Sequence, residues 1–349
     1  MSNWGTVITG TPTSTGRFGV GGTDLGIPYL RTHDGSSGYV FGDTFAGDTV
    51  GSGNWRSPVL LIQEAFDPTG DTAISFTSGI GGNPATQLLT YTHDADNGHG
   101  SEVTRIPNDA IEIDGRTWLT YTAVRDWTAV DDRYGALYAA LAYSDDHGRT
   151  WTDHAVVWPN DGSDGYGGWS PLMMQSFAGI GNNDDDGHLY IAAKEWGRAH
   201  NQNGPILMRV PATSAAILDK ARYQHWGYDG SWRWGSPTPT PLFDGMGPIG
   251  ELSVQNIGGT CCMSYFDVNG YCISTRTAPA IDRVWTGPTQ QIHGQAPWWK
   301  PGFTAFPQLY GGYIHPASAS PTSLTLTVSQ WNTARGRPYQ VMQFDGINP

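Results

Sequence analysis

Residues 144–151 read SDDHGRTW, and this octapeptide is the part of the sequence that decides the predicted fold. It matches the pattern S-x-D-x-G-x-T-W at every fixed position. In such a turn the Asp146 carboxylate can accept hydrogen bonds from backbone amides, Gly148 can adopt dihedral angles that other residues avoid, and Trp151 can pack underneath. The octapeptide therefore predicts a tight β-hairpin that its own side chains stabilise.

The composition around this hairpin is typical of an all-β protein. The 349 residues include 47 glycines, 23 prolines, 15 tryptophans and 16 tyrosines, and only 15% of them are charged. Such a chain is rich in turns and aromatic side chains, unlike a disordered one. Only residues 212–226, ATSAAILDKARYQHW, have the composition of a helix. We therefore expect an all-β fold with one short helix.

The octapeptide resembles the Asp-box of sialidases and related β-propellers, and a weak repeat supports the same architecture. Similar short motifs recur at intervals of 78, 73, 76 and 64 residues. Their marker residues are Asp24, Glu102, Gln175, Glu251 and His315. Five markers about seventy residues apart predict five similar units, since a blade with long loops can reach this length. We predict one five-bladed propeller domain over residues 1–349, with residues 1–16 as a lead-in or closing strand.

The innermost strands of a propeller begin at one mouth of the central channel. We therefore expect the five markers to converge there, near the aspartates of GGTDLG and FGDTFAG, Asp24 and Asp43. If the hairpin of residues 21–47 turns near residues 35–36, these two are offset by about three positions. Clustered carboxylates raise one another's pKa, which lets one site hold both an acid and a base.

Paired carboxylates in an aromatic cleft indicate glycoside hydrolysis. Our assignment makes Asp24 the nucleophile or base and Asp43 the acid, with Glu251 and Glu102 as alternative acids or substrate-orienting groups. Retention and inversion both stay open. For substrate binding we predict Glu102, Gln175, His315, Trp55, Arg56 and Trp127. Further tryptophans that could contact a sugar ring are Trp196, Trp232, Trp234, Trp298 and Trp299.

Charge and targeting signals restrict the partners. The net charge of −13 disfavours nucleic acid, and no apolar run approaches the ~20 residues of a membrane span. We predict a monomer that binds a polysaccharide, without a cofactor or a metal. The three cysteines are expected to be free and buried. No signal peptide is visible, so an extracellular site of action would require secretion by another route, release by lysis, or attachment to a phage particle.

Seven motifs together resemble one glycoside hydrolase family over residues 16–343. In order they are FGVGGTDLGIPY, FGDTFAG with WRSP (55–58), SEVTRIP, the Asp-box, LMRVPATSAAILD, GELSVQN and YGGYIHPAS. The family comprises endo-D-arabinanases of actinobacteria and their phages and was long known only as a domain of unknown function. The resemblance implies a five-bladed propeller that cleaves internal α-D-arabinofuranosyl linkages in mycobacterial arabinogalactan and lipoarabinomannan. It also implies that Asp24 and Asp43 are essential, with Glu251 as a further site residue.

Two alternatives remain at this point. A glycan-binding propeller without catalysis, such as a receptor-binding module on a virion, would present the same aromatic side chains. A hydrolase of L-arabinan or of another furanoside would use the same carboxylates.

Overall fold

The computed structural model of the chain describes residues 5–67, 72–166, 168–182, 186–199, 204–243, 245–294, 306–333 and 338–349. In chain order the strands are β1 (Thr6–Val7), β2 (Gly22–Leu30), β3 (Ser37–Phe45), β4 (Val59–Gln63), β5 (Ser78–Gly79), β6 (Ala95–Asp96), β7 (Ser101–Glu102), β8 (Thr104–Ile113), β9 (Arg116–Val124), β10 (Ala136–Ser144), β11 (Thr152–Pro159), β12 (Met174–Ile180), β13 (His188–Lys194), β14 (Ile206–Pro211), β15 (Gln224–Tyr228), β16 (Trp232–Trp234), β17 (Ile249–Ile257), β18 (Thr260–Asp267), β19 (Cys272–Ala278), β20 (Thr289–His293), β21 (Leu309–Ile314), β22 (Leu324–Trp331) and β23 (Tyr339–Ile347). One α-helix, α1 (Ser214–Ile217), and three 3₁₀ turns, Gly16–Phe18, Asp132–Gly135 and Lys220–Arg222, complete the described elements.

These strands form five antiparallel sheets, which are the blades of a propeller. Blade I is β2–β5, blade II β8–β11, blade III β12–β16, blade IV β17–β20, and blade V β21–β23 with β1. The first strand of each blade contacts the first strand of the next, and β21 returns to contact β2. The prediction of an all-β, five-bladed propeller is therefore confirmed.

The ring closes through the amino-terminal strand. In blade V, Thr6 and Val7 pair with Gln343 and Met342 of β23. The adjacent Ile8 is buried, and its amide donates to the Val341 carbonyl at 3.0 Å. Part of the expected lead-in is thus the closing strand, whereas the single-domain boundary at 1–349 stays a prediction.

Hydrogen bonds between blades reinforce the ring around the channel. At four of the five interfaces, a side chain near the innermost strand of one blade accepts a hydrogen bond from a backbone amide of the next. The acceptor and donor pairs are Asp109 with Phe177 (2.8 Å), Ser176 with Val254 (2.9 Å), Ser253 with Ile314 (3.1 Å) and Ser329 with Leu25 (2.8 Å). Because these groups are buried, each bond also satisfies an amide that would otherwise be unpaired.

The Asp-box hairpin joins β10 to β11 in blade II. Asp146 Oδ1 accepts from the Thr150 amide at 2.8 Å, the Ser144 hydroxyl accepts from the Gly148 amide at 2.7 Å, and the Trp151 indole donates to the Gly148 carbonyl at 3.0 Å. Although partial desolvation raises the pKa of Asp146, these hydrogen bonds dominate and lower it to about 2. The hairpin lies at the end of the blade opposite the start of the innermost strand.

The predicted helix over residues 212–226 is much shorter than expected. It covers only Ser214–Ile217, where the Thr213 hydroxyl caps the Ala216 amide at 3.3 Å. Asp219 then caps a 3₁₀ turn, and Gln224–Tyr228 continues as β15. Aromatic side chains there favour strand pairing over a second helical turn.

The remaining expectations on membrane spans and cysteines can also be compared with the fold. Across the described ranges, no helix has the length and apolar character needed to cross a membrane. Cys261, Cys262 and Cys272 are free and buried, as expected.

Candidate active site

A cavity of about 530 Å³ lies at the end of the propeller where the innermost strands begin. Residues from all five blades and from three loops line it. The lining includes the three predicted catalytic carboxylates, Asp24, Asp43 and Glu251, together with Trp127 and Trp196. Its volume falls within the range of typical ligand sites, so it can hold several sugar units.

Two successive β-bulges position the aspartates of blade I. Thr23 pairs with Thr44 and Leu25 with Phe41, so Asp24 faces both Gly42 and Asp43. The expected offset of three positions is therefore wrong: the β2–β3 connection is centred two residues earlier than assumed, and the carboxylates are opposed. Leu25 has a φ of 64°, which is unusual for a residue other than glycine and typical of a strained functional site.

Asp24 is buried between aromatic side chains. The Tyr310 hydroxyl donates to its Oδ2 at 2.9 Å, while Oδ1 accepts no hydrogen bond from the described residues. Burial raises the pKa of Asp24 to about 7, the charge of Asp43 adds to the rise, and the Tyr339 and Tyr310 hydroxyls oppose it. A Cβ at Gly42 would collide with Oδ1, so only glycine fits there.

Asp43 is held by two donors on one oxygen. Its Oδ1 accepts from the Thr104 hydroxyl at 2.7 Å and from the Trp55 indole at 2.8 Å. Burial raises the pKa of Asp43 to about 6, although these hydrogen bonds lower it. Both aspartates therefore titrate near neutral pH, and the pair can retain one proton where isolated aspartates would be ionised.

Glu251 has the opposite electrostatic environment. Burial alone would raise its pKa, but the charge of Arg198 more than offsets this, and the pKa is lowered. The Arg198 Nε donates to Glu251 Oε1 at 3.1 Å, and the Gly311 amide donates to Oε2 at 3.2 Å. The cavity thus combines a carboxylate that stays charged with two that can carry a proton.

The buried Lys194 side chain holds the loop that carries Arg198. The Lys194 Nζ donates to the carbonyls of Glu195 and Gly197 at 2.7 and 2.9 Å. Burial lowers the pKa of Lys194 to about 8. In addition, the Asp132 carboxylate accepts a hydrogen bond from the Arg198 backbone amide at 2.6 Å. These contacts hold the guanidinium against Glu251.

Aromatic side chains form much of the cavity wall. Trp127 and Trp196 have ring centroids 5.8 Å apart at the rim, and Trp127 is 54% exposed. Tyr313, Trp331 and Tyr339 line the opposite side. Aromatic faces of this kind can pack against the C–H groups of sugar rings.

Three of the five repeat markers do not reach the cavity lining. Glu102 is buried outside it, where its carboxylate pairs with Arg105 at 2.7 Å and accepts from the Tyr138 hydroxyl at 2.7 Å. Gln175 follows the cavity residue Met174 in β12, and its side chain bonds the Leu172 carbonyl at 2.9 Å. The expected convergence of all five markers is therefore wrong.

His315 is the third of these markers. It follows the last residue of β21, so it belongs to the opposite end of the channel. Its Nδ1 accepts from the Ala317 amide at 3.1 Å, and its Nε2 lies 2.9 Å from the Tyr39 hydroxyl. Burial lowers the pKa of His315 to about 3, so the ring is a neutral structural group.

Other predicted binding residues act indirectly or lie elsewhere. Trp55 supports the site from outside the lining, where it donates to Asp43 and stacks on the lining residue Phe45. Arg56 is buried away from the lining, where it donates to the Gly19 carbonyl at 2.6 Å and so joins two loops. Trp232 and Trp234 lie on the outermost strand of blade III, and Trp298 and Trp299 lie outside the described residues.

Three important residues were missed by the sequence reasoning. Tyr310 and Tyr339 reach Asp24 from blade V, and Arg198 follows the end of β13. The motif YGGYIHPAS does contain Tyr310, but its repeat alignment drew attention to the histidine instead. No local pattern marks Tyr339 or Arg198.

A histidine cluster lies at the opposite end of the propeller. His33, Glu112 and His147 place potential metal-ligating atoms within 4.8 Å of one another. The imidazole rings stack at 3.5 Å with an angle of 14°, and His33 Nδ1 already bonds the carboxylate at 2.9 Å. Because stacked rings direct their lone pairs in parallel, the cluster is better suited to linking blades I and II than to holding an ion.

Comparison with known sequences identifies relatives along nearly the whole chain. The model of the family described as "Domain of unknown function (DUF4185)" matches residues 9–345. Notoamide biosynthesis cluster protein J′ of Aspergillus versicolor is 34% identical over 330 residues, which cover 91% of this chain and 83% of that protein. An uncharacterized 35.9 kDa protein in the asd 3′ region of Mycolicibacterium smegmatis is 30% identical over 351 residues, covering 97% of this chain and 96% of that one.

Solved structures with the same architecture include glycoside hydrolases. The GH43_1 enzyme of Xanthomonas citri complexed with xylotriose aligns with a TM-score of 0.53 and 13% identity, over 98% of this chain and 89% of that chain. Zg3597, a family 117 glycoside hydrolase of Zobellia galactanivorans, aligns with a TM-score of 0.53 and 12% identity, over 99% and 90%. At this identity the similarity establishes a shared fold only.

Proposed function

Because the chain belongs to the family described as a domain of unknown function (DUF4185) and has the same fold as several glycoside hydrolases, we propose that it hydrolyses glycosidic bonds. The substrate that we propose is D-arabinan, cleaved at internal α-D-arabinofuranosyl linkages. This substrate rests on the seven motifs of the sequence that resemble endo-D-arabinanases. The relative in Mycolicibacterium smegmatis is consistent with it.

The observation that carries the proposal is the opposed pair of carboxyl groups in the cavity. Asp24 and Asp43 have pKa values raised to about 7 and about 6. Glycoside hydrolysis needs one carboxyl group that protonates the leaving oxygen and one carboxylate that attacks the anomeric carbon or activates water. A pair that shares one proton near neutral pH provides both groups.

Glu251 would contribute a fixed negative charge. Since Arg198 keeps its pKa low, Glu251 stays ionised across the pH range in which the aspartates titrate. The transition state of glycoside hydrolysis resembles an oxocarbenium ion, which such a charge stabilises. The aromatic walls would orient the sugar rings over the three carboxylates.

Burial and the charges of Asp43 and Glu251 raise the pKa of Asp24, and its Oδ1 accepts no hydrogen bond from the described residues, which favours Asp24 as the proton donor. This is the reverse of the assignment made from the sequence, and both assignments remain predictions. Aryl arabinofuranosides with good leaving groups separate them, because the departure of such a group needs little protonation. We expect Asp24→Asn to keep much of its activity on 2,4-dinitrophenyl α-D-arabinofuranoside and to lose its activity on D-arabinan. The same pattern in Asp43→Asn would instead support the sequence-based assignment.

The substrate is tested by incubating the protein with purified mycobacterial D-arabinan and, separately, with plant L-arabinan. Sizing the products by chromatography should reveal oligosaccharides from the first polymer only. Fragments from L-arabinan alone would contradict the substrate that we propose. If neither polymer is cleaved but D-arabinan is bound, the protein is a glycan-binding propeller.

Matched variants connect the reaction to the cavity. Asp24→Asn and Asp43→Asn should each abolish the release of oligosaccharides while the fold is retained. The control is Asp145→Asn, because Asp145 is an exposed residue of the Asp-box turn, at the other end of the propeller. Full activity in either cavity variant would contradict the proposal.

The Aspergillus relative favours a second candidate function. Since it is a notoamide biosynthesis cluster protein, the same carboxylates could perform acid–base chemistry on a small molecule. This candidate predicts that no polymer is cleaved and that a small molecule still protects the cavity tryptophans from fluorescence quenching.

For the polysaccharide reaction we propose an extracellular site of action, reached by secretion, lysis or attachment to a phage particle. Detection of the chain in spent medium or in purified particles would test this localisation.

A further inference from the structure

Blade III has a fifth strand, and with its neighbour it forms a hairpin that carries four aromatic side chains on one face. Trp226 pairs with Trp234, and Tyr228 pairs with Trp232, in the antiparallel register of β15 and β16. Residues two apart on a strand share a face, so these four rings form one continuous row. We refer to them as the aromatic row.

The inner half of the row is structural and the outer half is open to solvent. Trp226 and Trp234 pack against the hydrophobic core between blades III and IV, and Trp234 lies edge-on to Tyr190 at 5.3 Å. Beyond them, Tyr228 is 55% and Trp232 is 50% exposed. Packing accounts for the first pair fully and for the second only in part, because half of each outer ring is left in contact with water.

Contacts with neighbouring rings hold the exposed rings in place, although Tyr228 is tilted by 59° from the plane of Trp232. Trp232 stacks on Trp226 with an angle of 19° between the rings and 5.8 Å between their centroids. Tyr228 lies against Trp232 at 5.7 Å. Rings fixed in this way lose little conformational entropy on binding a ligand.

The other face of the hairpin is covered by the following segment. A Cβ at Gly227 would collide with the carbonyl of Thr238, and the Tyr228 amide donates to the Thr240 hydroxyl at 2.9 Å. At the tip, Arg233 Nε donates to Asp229 Oδ1 at 3.0 Å. Arg233 alternates with Trp232 and Trp234 along β16, so this ion pair belongs to the other face, and the aromatic row is the face of the hairpin that is open to a ligand.

The row reaches the same end of the propeller as the cavity. Met174, the first residue of β12, lines the cavity, and β13, β14 and β15 alternate in direction after it. Tyr228, at the end of β15, is consequently on the side where β12 begins. Three to four strand spacings separate β12 from the hairpin, or about 14–19 Å.

From this arrangement we propose that Tyr228 and Trp232 form an accessory site that binds a polysaccharide chain outside the cavity. The inference rests on the proposed function for the identity of the polysaccharide, D-arabinan. The occupant is a saccharide because exposed aromatic rings match the C–H faces of sugars, while the Tyr228 hydroxyl and the Trp232 indole N–H can bond sugar hydroxyls. A protein partner fits less well, since two half-exposed rings offer on the order of 200 Å² against the ~800 Å² per partner of a stable interface.

An accessory site at this distance would tether long substrates and leave short ones unaffected. The structure leads us to expect that Tyr228→Ala/Trp232→Ala raises the KM for polymeric D-arabinan about fivefold to tenfold and leaves kcat unchanged. On 2,4-dinitrophenyl α-D-arabinofuranoside, whose single sugar unit is shorter than this separation, both constants should stay at their wild-type values. The control is Val284→Ala, because Val284 is 89% exposed on blade IV.

Binding is measured separately from catalysis by affinity electrophoresis in gels with and without D-arabinan. Asp24→Asn, which cannot cleave the polymer, should be retarded, and adding Tyr228→Ala/Trp232→Ala to it should remove most of the retardation. The melting temperature of the triple variant should stay within a few degrees of that of Asp24→Asn, since both rings are half-exposed and a cross-strand aromatic pair contributes only about 0.2–1 kcal/mol. Unchanged retardation, or no retardation of Asp24→Asn at all, would overturn the inference.

The two proposals fail in different ways. Cleavage of D-arabinan by the wild type, together with unchanged KM and retardation in the double variant, would remove the accessory site and leave the proposed hydrolysis intact. Retardation that depends on Tyr228 and Trp232, in a protein that cleaves neither arabinan, would keep the binding site and contradict the hydrolysis.

Discussion

The hydrogen bond between Tyr310 and Asp24 allows the role of Asp24 to be tested with one conservative substitution. The Tyr310 hydroxyl donates to Oδ2 at 2.9 Å, and both side chains are buried. Tyr310→Phe removes only the oxygen, so the ring that packs under Arg198 is retained. Because a donor stabilises the ionised carboxylate, its removal must raise the pKa of Asp24.

The size of the change follows from the strength of such a bond. Hydrogen bonds to charged groups contribute about 1.5–3 kcal/mol, and one pKa unit corresponds to about 1.4 kcal/mol. Removing the donor should thus raise the pKa of Asp24 by about 1–2 units from its value of about 7. The nearby Tyr339 hydroxyl remains and can compensate in part, so we expect an increase of about one unit.

The assay is kcat/KM for D-arabinan fragments as a function of pH, which reports the ionisations of the free enzyme. If Asp24 donates the proton, a higher pKa keeps it protonated to higher pH, and the basic limb of the profile moves up by about one unit. If Asp24 is the base or nucleophile, the acidic limb moves up instead, and the rate at pH 6 falls about tenfold. We expect the first result.

The control is Tyr313→Phe, which removes a hydroxyl from the same cavity and leaves the bond to Oδ2 intact. Its profile should keep both limbs in place. A Tyr310→Phe profile in which neither limb moves would refute the reasoning, since Asp24 would then be neither acid nor base.

Three further predictions concern stability and stereochemistry. Asp24→Asn should melt at a higher temperature than the wild type at pH 8, and this difference should be gone near pH 4. The reason is that the wild type loses stability as pH rises from the ordinary aspartate pKa of 3.8 to the raised pKa of about 7, whereas asparagine cannot ionise. The loss is at most about 4 kcal/mol. Equal melting temperatures at pH 8 by calorimetry would argue against the raised pKa. NMR of the first-formed product should show a retained anomeric configuration. Opposed cross-strand residues have Cβ atoms about 4.5–5.5 Å apart, and retaining enzymes need carboxyl groups that are close together. An inverted product would contradict this prediction. Asp146→Ala in the Asp-box should lower the free energy of unfolding, measured by denaturant titration, by about 1–3 kcal/mol. It should leave kcat/KM unchanged, because Asp146 lies at the end of the propeller opposite the cavity. A large loss of activity would contradict the second expectation.

The blade number followed from the spacing of a weak repeat along the chain, whereas the Asp-box turn and the neighbouring aspartates followed from local signals. The Asp-box specifies its own turn, and the glycines beside Asp24 and Asp43 mark a close approach of backbones. Glu251 was also placed correctly, in a motif that begins an innermost strand.

The remaining parts of the site depend on contacts that a linear pattern does not encode. The β2–β3 connection is centred two residues earlier than the assumed turn, so the counted offset was wrong, and no local pattern marks the bulges at Leu25 and Gly42 that lie beside the two aspartates. His315 and Glu102 fit the sequence pattern of the repeat without sharing its position in the fold. His315 follows the end of an innermost strand, and Glu102 forms an ion pair with Arg105 outside the cavity. Tyr310 and Arg198 are brought to the carboxylates only by the closure of the ring.

That closure has a consequence for the protein during its own synthesis. Asp24 is translated near the start of the chain, and Tyr310, which donates to it, follows 286 residues later. At typical elongation rates of 5–20 residues per second, about 15–60 s separate the two on the ribosome. A nascent chain therefore holds Asp24 without the Tyr310 and Tyr339 hydroxyls that lower its pKa, and the cavity is complete only once blade V has docked onto blade I.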